Sequence, residues 1–163
     1  MKKLLLLLLI PLTLLVFACG EAKPTPTLYS PITLTPAATT MDPTELTMVV
    51  AAQHDEFGSY LTDSEGMTLY VYTTDDKNLS KCISTCPLLW PPLRTVAGPS
   101  AGKGVTADLL GTITRIDGSM QVTYNGRPLY YFSNDDKPGD TGGHNNVNKW
   151  FVVTPDGEPY GIP

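Results

Sequence analysis

The stretch LYVYTTDDK at Leu69–Lys77 returns sixty residues later as LYYFSNDDK at Leu129–Lys137. A gap-free overlay at this offset extends beyond the two stretches, with eight identities in the 21 positions that begin at Phe57. The same overlay places Trp90 on Trp150. A repeat of this length is typical of a duplicated supersecondary unit. The chain is therefore predicted to contain two copies of one small fold.

The second copy indicates most clearly what this unit is. Its β-rich runs are TITRI at 112–116, MQVTY at 120–124, LYYFS at 129–133 and WFVV at 150–153. The pairs Asp117-Gly118 and Asn125-Gly126 are signals for two-residue hairpin turns. Because alternate side chains of LYYF are apolar on both faces, this strand is predicted to be buried on both sides. We expect a mostly β fold in which two tandem antiparallel meanders pack into one compact domain.

The N-terminal residues predict export. An apolar run from Leu4 to Ala18 follows two lysines, and a membrane span would need about 20 such residues. This run is typical of a secretory signal peptide, predicted at 1–18. It ends in VFAC at 16–19, which resembles the lipobox of bacterial lipoproteins, where Cys19 receives lipid and becomes the mature N-terminus. Ordinary cleavage, with Cys19 lost or left free, stays open as the alternative.

A tether and one duplicated domain are predicted after the signal peptide. Residues 19–46 are rich in proline and threonine and poor in large apolar side chains, so they cannot bury enough surface to offset chain entropy. Residues 47–163 form the domain, with copies at about 47–104 and 105–163. The net charge of −5 argues against a nucleic-acid partner. We expect a lipid anchor in the bacterial cell membrane or outer membrane.

Several motifs resemble one bacterial family. The pattern Tyr-x-aromatic-x-x-Asp occurs twice, as Tyr70, Tyr72 and Asp75 and as Tyr130, Phe132 and Asp135. The segments QVTYNGRPLYYF, KPGDTGGHNNVNKWFVV and CISTCPLLWPPL also resemble the secreted-repeat lipoproteins that carry a Y-x-[FWY]-x-x-D motif, a family of largely unknown function. The resemblance covers Thr47 to Gly157. It implies an exported lipoprotein of duplicated β-units that brings no established catalytic role.

The repeated aspartates allow more than one role. Asp75 and Asp135 each follow a strand, where an Asp side chain commonly accepts hydrogen bonds from backbone N–H groups of the next loop. Asp135, Asp136 and Asp140 are also candidate ligands of calcium, although no EF-hand pattern is present and Lys137 would oppose a cation. Acid–base catalysis by aspartates would need a pocket and divergent pKa values, which a sequence does not show.

Cys82 and Cys86 are predicted to form a disulfide, because a close cysteine pair in an exported protein is more often bonded than reduced. Residues four apart on a helix lie near disulfide distance, so the bond would bridge one turn. A zinc or copper site at these thiols would need two further ligands, for which His54 and His144 are the candidates. Both histidines are predicted to lie in surface loops.

These features favour a membrane-anchored extracytoplasmic module that binds a partner or has a structural role, rather than an enzyme. Trp90 and Trp150 are expected to be structural. No cofactor is expected, and the protein or cell-envelope partner is not identified by the sequence. The alternatives are a metal-binding or electron-transfer accessory, for which the family resemblance permits a link to alkane catabolism, and an aspartate-dependent hydrolase.

Overall fold

The computed structural model describes residues 46–162, in which nine short strands dominate. The strands are β1 (Thr47–His54), β2 (Gly58–Asp63), β3 (Tyr70–Tyr72), β4 (Arg94–Thr95), β5 (Pro99–Ala101), β6 (Leu110–Thr114), β7 (Met120–Tyr124), β8 (Arg127–Pro128) and β9 (Trp150–Val152). One helical turn, α1 (Cys86–Leu89), and one 3-10 turn (Ala107–Leu109) complete the elements of this part of the chain. The mostly β prediction is confirmed. The predicted signal peptide, Cys19 and nearly all of the tether lie outside the described residues.

Each copy begins with an antiparallel hairpin. β1 pairs with β2, and β6 pairs with β7. The turn Asn125-Gly126 then leads into β8, which pairs back onto β7 as predicted. Both turn residues have positive φ, 50° and 74°, which is the conformation that a type I′ turn requires. The predicted antiparallel meanders are confirmed, and one parallel pair, β1 with β5, is added to the first of them.

The two copies also pair with each other. β3 pairs with β9, and β4 pairs with β7. Between these pairs, Tyr70 and Tyr130 exchange backbone N–H···O bonds of 2.8 and 2.9 Å. Val152 lies opposite Tyr70, and Pro92 lies opposite Tyr130. Both members of the second pair are sixty positions from their equivalents in the first, so equivalent residues make equivalent contacts. A pseudo-twofold axis therefore passes between the two tyrosines.

The predicted strand LYYFS is not regular. Within it only Tyr130 forms bridges, one to Tyr70 and one to Pro92. The reason lies in the neighbouring segment, where Pro91 and Pro92 have no N–H group and cannot complete a ladder of hydrogen bonds. Both tyrosines at the axis are nevertheless fully buried, in agreement with the burial expected for this strand.

The gap-free overlay of the copies is also wrong in its first part. The N–H group of Arg115 donates to the carbonyl of Ser119, so the turn between β6 and β7 contains the three residues 116–118 and not Asp117-Gly118 alone. The next turn of the first copy, Ser64–Gly66, is one residue longer than Asn125-Gly126. Equivalent residues of the two hairpins are therefore separated by one position more than equivalent residues of the two motifs.

The aromatic part of the core lies on the pseudo-twofold axis. The indoles of Trp90 and Trp150 stack in parallel with ring centroids 3.8 Å apart. Tyr70 meets Trp90 edge to face at 5.6 Å, and Tyr130 meets Trp150 in the same way at 5.2 Å. Such edge-to-face pairs add to the stabilisation that comes from area burial. A separate aliphatic cluster fills the space between the hairpins, with Val49, Leu61, Val71, Leu93, Val122 and Leu129 among its buried members.

Cys82 and Cys86 form a disulfide, as predicted, with their Cα atoms 5.2 Å apart. Its position differs from the expected one, because α1 begins at Cys86 and the bond closes the turn that leads into this helix. Cys82 is fully buried, and its carbonyl accepts a hydrogen bond of 2.6 Å from the Arg115 guanidinium. The bond therefore holds a loop that is attached to the second copy.

Replacing both cysteines, as Cys82→Ala with Cys86→Ala, is expected to lower the free energy of unfolding by about 2 kcal/mol. This is the chain-entropy value for opening a five-residue loop. Denaturant unfolding of the oxidised wild type and of the double variant measures it. The reduced wild type serves as the control and should match the double variant. Equal stability of the oxidised and reduced proteins would contradict the expectation.

Candidate functional site

The residues of the repeated motif meet across the pseudo-twofold axis. The hydroxyl of Tyr70 donates to Oδ2 of Asp135 at 2.5 Å. The hydroxyl of Tyr130 donates to Oδ2 of Asp75 at 2.6 Å. Each bond joins the tyrosine of one copy to the aspartate of the other. The spacing of the motif did not predict this exchange. Its tyrosine and aspartate are only five positions apart within one copy, whereas each bonds to a residue of the other copy.

The second oxygen of each aspartate holds the loop that follows its own strand. Oδ1 of Asp75 accepts the N–H of Lys81 at 2.7 Å, and Oδ1 of Asp135 accepts the N–H of Gly142 at 2.9 Å. Burial raises the pKa of both carboxyl groups, and the tyrosine hydrogen bonds offset part of this effect. The two aspartates therefore occupy the loop-fastening positions that turn chemistry predicts.

The two tyrosine phenols at the axis keep their protons. Burial is the largest cause that raises the pKa of Tyr70 and of Tyr130, and the carboxylate beside each hydroxyl raises it further. Each phenol is therefore a hydrogen-bond donor at every physiological pH. A donor fixed in this way can orient a carboxylate but cannot act as a base.

The middle aromatic residues of the motif extend the tryptophan stack. Tyr72 stacks on Trp150 with ring centroids 4.3 Å apart, and Phe132 packs on Trp90 at 4.6 Å. Four rings consequently lie in one column, with Tyr72 at one end and Phe132 at the other. Phe132 is buried, whereas Tyr72 is half-buried. The column is therefore open to solvent at its Tyr72 end.

A buried arginine connects the disulfide loop to one of the motif pairs. The guanidinium of Arg115 donates to Gln121 at 2.5 Å and to Ser80 at 3.0 Å, in addition to the carbonyl of Cys82. The Ser80 hydroxyl lies 2.7 Å from the hydroxyl of Tyr130. Sequence reasoning missed Arg115, because its partners Ser80 and Cys82 lie 35 and 33 positions away and no local pattern signals them.

The calcium candidates of the second copy are engaged in the turn. Both oxygens of Asp135 accept the hydrogen bonds described above. Oδ2 of Asp140 accepts the N–H groups of Asp136 and Lys137 at 3.1 and 3.2 Å. Within residues 46–162, no three His, Cys, Asp or Glu side chains are grouped so that they could hold a metal ion. Calcium or transition-metal binding stays an untested prediction.

His54 and His144 lie in an aromatic cluster. The predicted loop placement is wrong for His54, which lies in β1, whereas His144 lies in the loop that precedes β9. His54 ends β1 and stacks on Phe57 at 4.5 Å, while the ring of His144 lies 4.6 Å from the same Phe57. Both histidines are half-buried: Phe57 contacts both rings, and Tyr160 also contacts the ring of His144. Burial lowers the pKa of His144. Both cysteine sulfurs are bonded to each other in the disulfide. The cysteines and the histidines therefore do not form a common set of metal ligands.

A half-open cleft of about 260 Å³ lies at the Tyr72 end of the ring column. Its walls are formed by Tyr72, Asp75, Asp76, Lys77, Asn125, Arg127, Pro128 and Glu158. Glu158 accepts hydrogen bonds from Arg127 at 2.8 Å and from Asn125 at 3.2 Å. Neither histidine lines this cleft, although Asp75 does. A cleft that joins a motif aspartate to a histidine, which a hydrolase would favour, is therefore not formed at this place.

The comparisons with known proteins identify a family and no individual relative. A family model described as a secreted repeat of unknown function matches residues 52–94 and 111–154, which together are just over half of the chain. The two matches coincide with the two copies. No curated protein and no solved structure matches the chain.

Double-mutant cycles should detect the exchange of partners between the copies. Tyr70→Phe and Asp135→Asn are each expected to lower the free energy of unfolding by about 1–2 kcal/mol, because each leaves a buried polar group without its partner. Their coupling energy should reach about 1 kcal/mol, as for residues in direct contact. The control cycle combines Tyr70→Phe with Asp75→Asn, two motif residues of one copy that share no hydrogen bond. Similar coupling in both cycles would contradict the exchanged pairing.

The pH dependence of the two aspartate variants has a defined sign. Since burial raises the folded-state pKa of Asp75 and Asp135, their stabilisation is complete below about pH 4 and is lost as the pH rises through the raised value. Asparagine does not titrate. The destabilisation by Asp75→Asn or Asp135→Asn is therefore expected to decrease between about pH 4 and pH 7 in urea unfolding.

The control for this series is Asp117→Asn. Hydrogen bonds from Ser119 lower the pKa of Asp117, so its stabilisation is present above the unfolded pKa and is lost as the pH falls. The effect of this control should therefore grow with pH. If the destabilisation by Asp75→Asn and Asp135→Asn also increases with pH, the expectation is wrong. The hydrogen bonds to the charged carboxylates would then lower the pKa by more than burial raises it.

Proposed function

Because the chain belongs to the family of secreted repeats of unknown function, we propose that it is a lipid-anchored extracytoplasmic module that binds a partner without catalysing a reaction. The two family matches cover the duplicated units, and the family description supports a location outside the cytoplasm. The proposal goes beyond this description in the anchor, in the absence of catalysis and in the binding role. Each of these has its own support.

The anchor is supported by the sequence before the domain. An apolar segment after two lysines ends in VFAC at 16–19, and a stretch rich in proline and threonine follows. A lipid on Cys19 would hold the protein at the cell membrane or outer membrane, and the tether would give the domain reach from the bilayer. None of the helices within residues 46–162 has the length and apolarity to span a membrane.

The observation that most supports a non-catalytic role is the pair of exchanged Tyr–Asp bonds. A general base needs an acceptor atom that can reach a substrate proton. Both oxygens of Asp75 and both oxygens of Asp135 already accept hydrogen bonds from the protein. Among residues 46–162, every buried side-chain nitrogen and oxygen has a hydrogen-bond partner. This closed network favours a scaffold over a reacting centre.

The binding role is supported by the place at which the copies differ. After β9 the chain turns back, and Val153 bridges to Pro159. This return brings Glu158 against Arg127, 31 positions earlier in the sequence. The corresponding part of the first copy instead continues into β4 and β5. The cleft beside Tyr72 therefore contains residues that the duplicated scaffold does not require.

Cys19→Ser is expected to move the protein from the membrane fraction to the soluble extracytoplasmic fraction, because the variant cannot receive the lipid. Cell fractionation and metabolic labelling with palmitate measure the change. The matched control is Cys82→Ala with Cys86→Ala, which should stay with the membrane and keep its label. A Cys19→Ser protein that remains wholly in the membrane fraction would overturn the proposed anchor.

A further inference from the structure

We propose that the cleft beside Tyr72 is a binding site for a neutral saccharide. The inference deepens the proposed function and rests on it, since it names the chemical class that the module would bind outside the cytoplasm. Four features of the cleft carry it. They are a rigid aromatic wall, an oriented set of planar polar groups, a balanced charge and a departure from the symmetry of the fold.

The aromatic wall is the phenol ring of Tyr72. One face of this ring stacks on Trp150, which is itself stacked on Trp90. The ring is therefore held by buried neighbours, and its opposite face is the one that a ligand can meet. The C–H groups of a sugar ring form a flat apolar surface of similar size. A fixed aromatic face binds such a surface with little loss of side-chain entropy.

The polar groups of the cleft are planar and hold one another in place. The carboxylate of Glu158 accepts hydrogen bonds from the guanidinium of Arg127 and from the amide of Asn125. A carboxylate has about four acceptor positions, and a guanidinium has five N–H donors. Each group thus keeps unused donors or acceptors in a fixed direction. Neighbouring sugar hydroxyls, each of which donates and accepts, complement such an arrangement.

The charges around the cleft balance. The carboxylates of Asp75, Asp76 and Glu158 line it. Two basic side chains, Lys77 and Arg127, also line it, and a third, Lys81, pairs with a residue of the wall. Lys81 binds Asp76 at 2.9 Å, so it neutralises an acid of the wall. A cleft without net charge favours neither an anion nor a cation. A ligand with many hydroxyl groups and no charge fits it best.

The other end of the ring column is closed. Phe132 takes the place of Tyr72 there and has no hydroxyl group. A Cβ atom at Gly143 would lie 2.9 Å from side-chain atoms of Phe132, Trp90 and Tyr70, so the glycine-rich loop packs directly on the rings. The fold can therefore cover the end of the column, and at Tyr72 it does not. The opening beside Tyr72 therefore has no counterpart at the equivalent position of the second copy, Phe132.

Isothermal titration calorimetry with the full-length protein tests the site. The protein is purified from membranes in a zwitterionic detergent without a sugar head group, since a maltoside would compete. The neutral probes are maltose, cellobiose and diacetylchitobiose, and the charged comparators are glucosamine and glucuronate. At least one neutral disaccharide is expected to bind with a Kd of about 1 mM or tighter. The charged comparators should bind more weakly.

The variants assign the binding to the cleft. Arg127→Ala and Glu158→Ala should each weaken the interaction about tenfold or more, since each removes hydrogen bonds to the sugar. The matched control is Arg94→Ala, which breaks an exposed ion pair of 3.1 Å with Asp117 elsewhere on the surface and should leave the affinity unchanged. Thermal unfolding checks that each variant is folded.

Three results would overturn the site: no neutral disaccharide bound at about 20 mM, equal affinity in Arg127→Ala and wild type, or tighter binding of a charged comparator. Any of them leaves the membrane fractionation of Cys19→Ser as an independent test of the anchor. Release of monosaccharide during the titration would instead contradict the non-catalytic role while confirming the site. Failure of the saccharide site and failure of the proposed function are therefore distinguishable.

Discussion

The exchanged hydrogen bonds between Tyr70 and Asp135 and between Tyr130 and Asp75 are the constraint on which the rest of the structure depends. A buried carboxylate is costly unless hydrogen bonds satisfy it, and a buried phenol likewise needs a partner. Each copy supplies one donor and one acceptor, and their geometry directs both to the other copy. In neither copy does the motif tyrosine bond to the aspartate of the same copy. The duplication is thus a requirement of the polar chemistry as well as of the apolar core.

The column of four rings extends this constraint from the axis to the surface. Trp90 and Trp150 stack on each other because the same position of each copy reaches the axis. The loops after the motif are then fixed by different means: a disulfide at Cys82 in the first copy, and close packing of Gly143 in the second. The symmetric centre therefore leaves its two ends free to differ. Within residues 46–162, the Phe132 end is covered and the Tyr72 end keeps an opening.

Local signals predicted the parts of the fold that depend on nearby residues. The repeat, the β content, the Asn125-Gly126 turn and the Cys82–Cys86 bond follow from spacing and residue type. The partner exchange, the buried Arg115 and the cleft did not follow, because they join segments about 30 to 70 positions apart. A period of sixty residues shows that two copies exist, but it does not show which copy supplies the partner of a side chain.

The same constraint separates what the motif specifies from what the proposed saccharide site uses. The polar atoms of the motif tyrosines and aspartates form hydrogen bonds within the chain, so these residues stabilise the scaffold. The cleft takes its distinguishing groups from outside the motif, from Asn125, Arg127 and Glu158. Glu158 also lies beyond the end of the second family match at residue 154. Sharing the motif therefore predicts a shared fold but not a shared ligand. Chains that keep the motif and change these three positions are expected to keep the scaffold and to lose the proposed saccharide site.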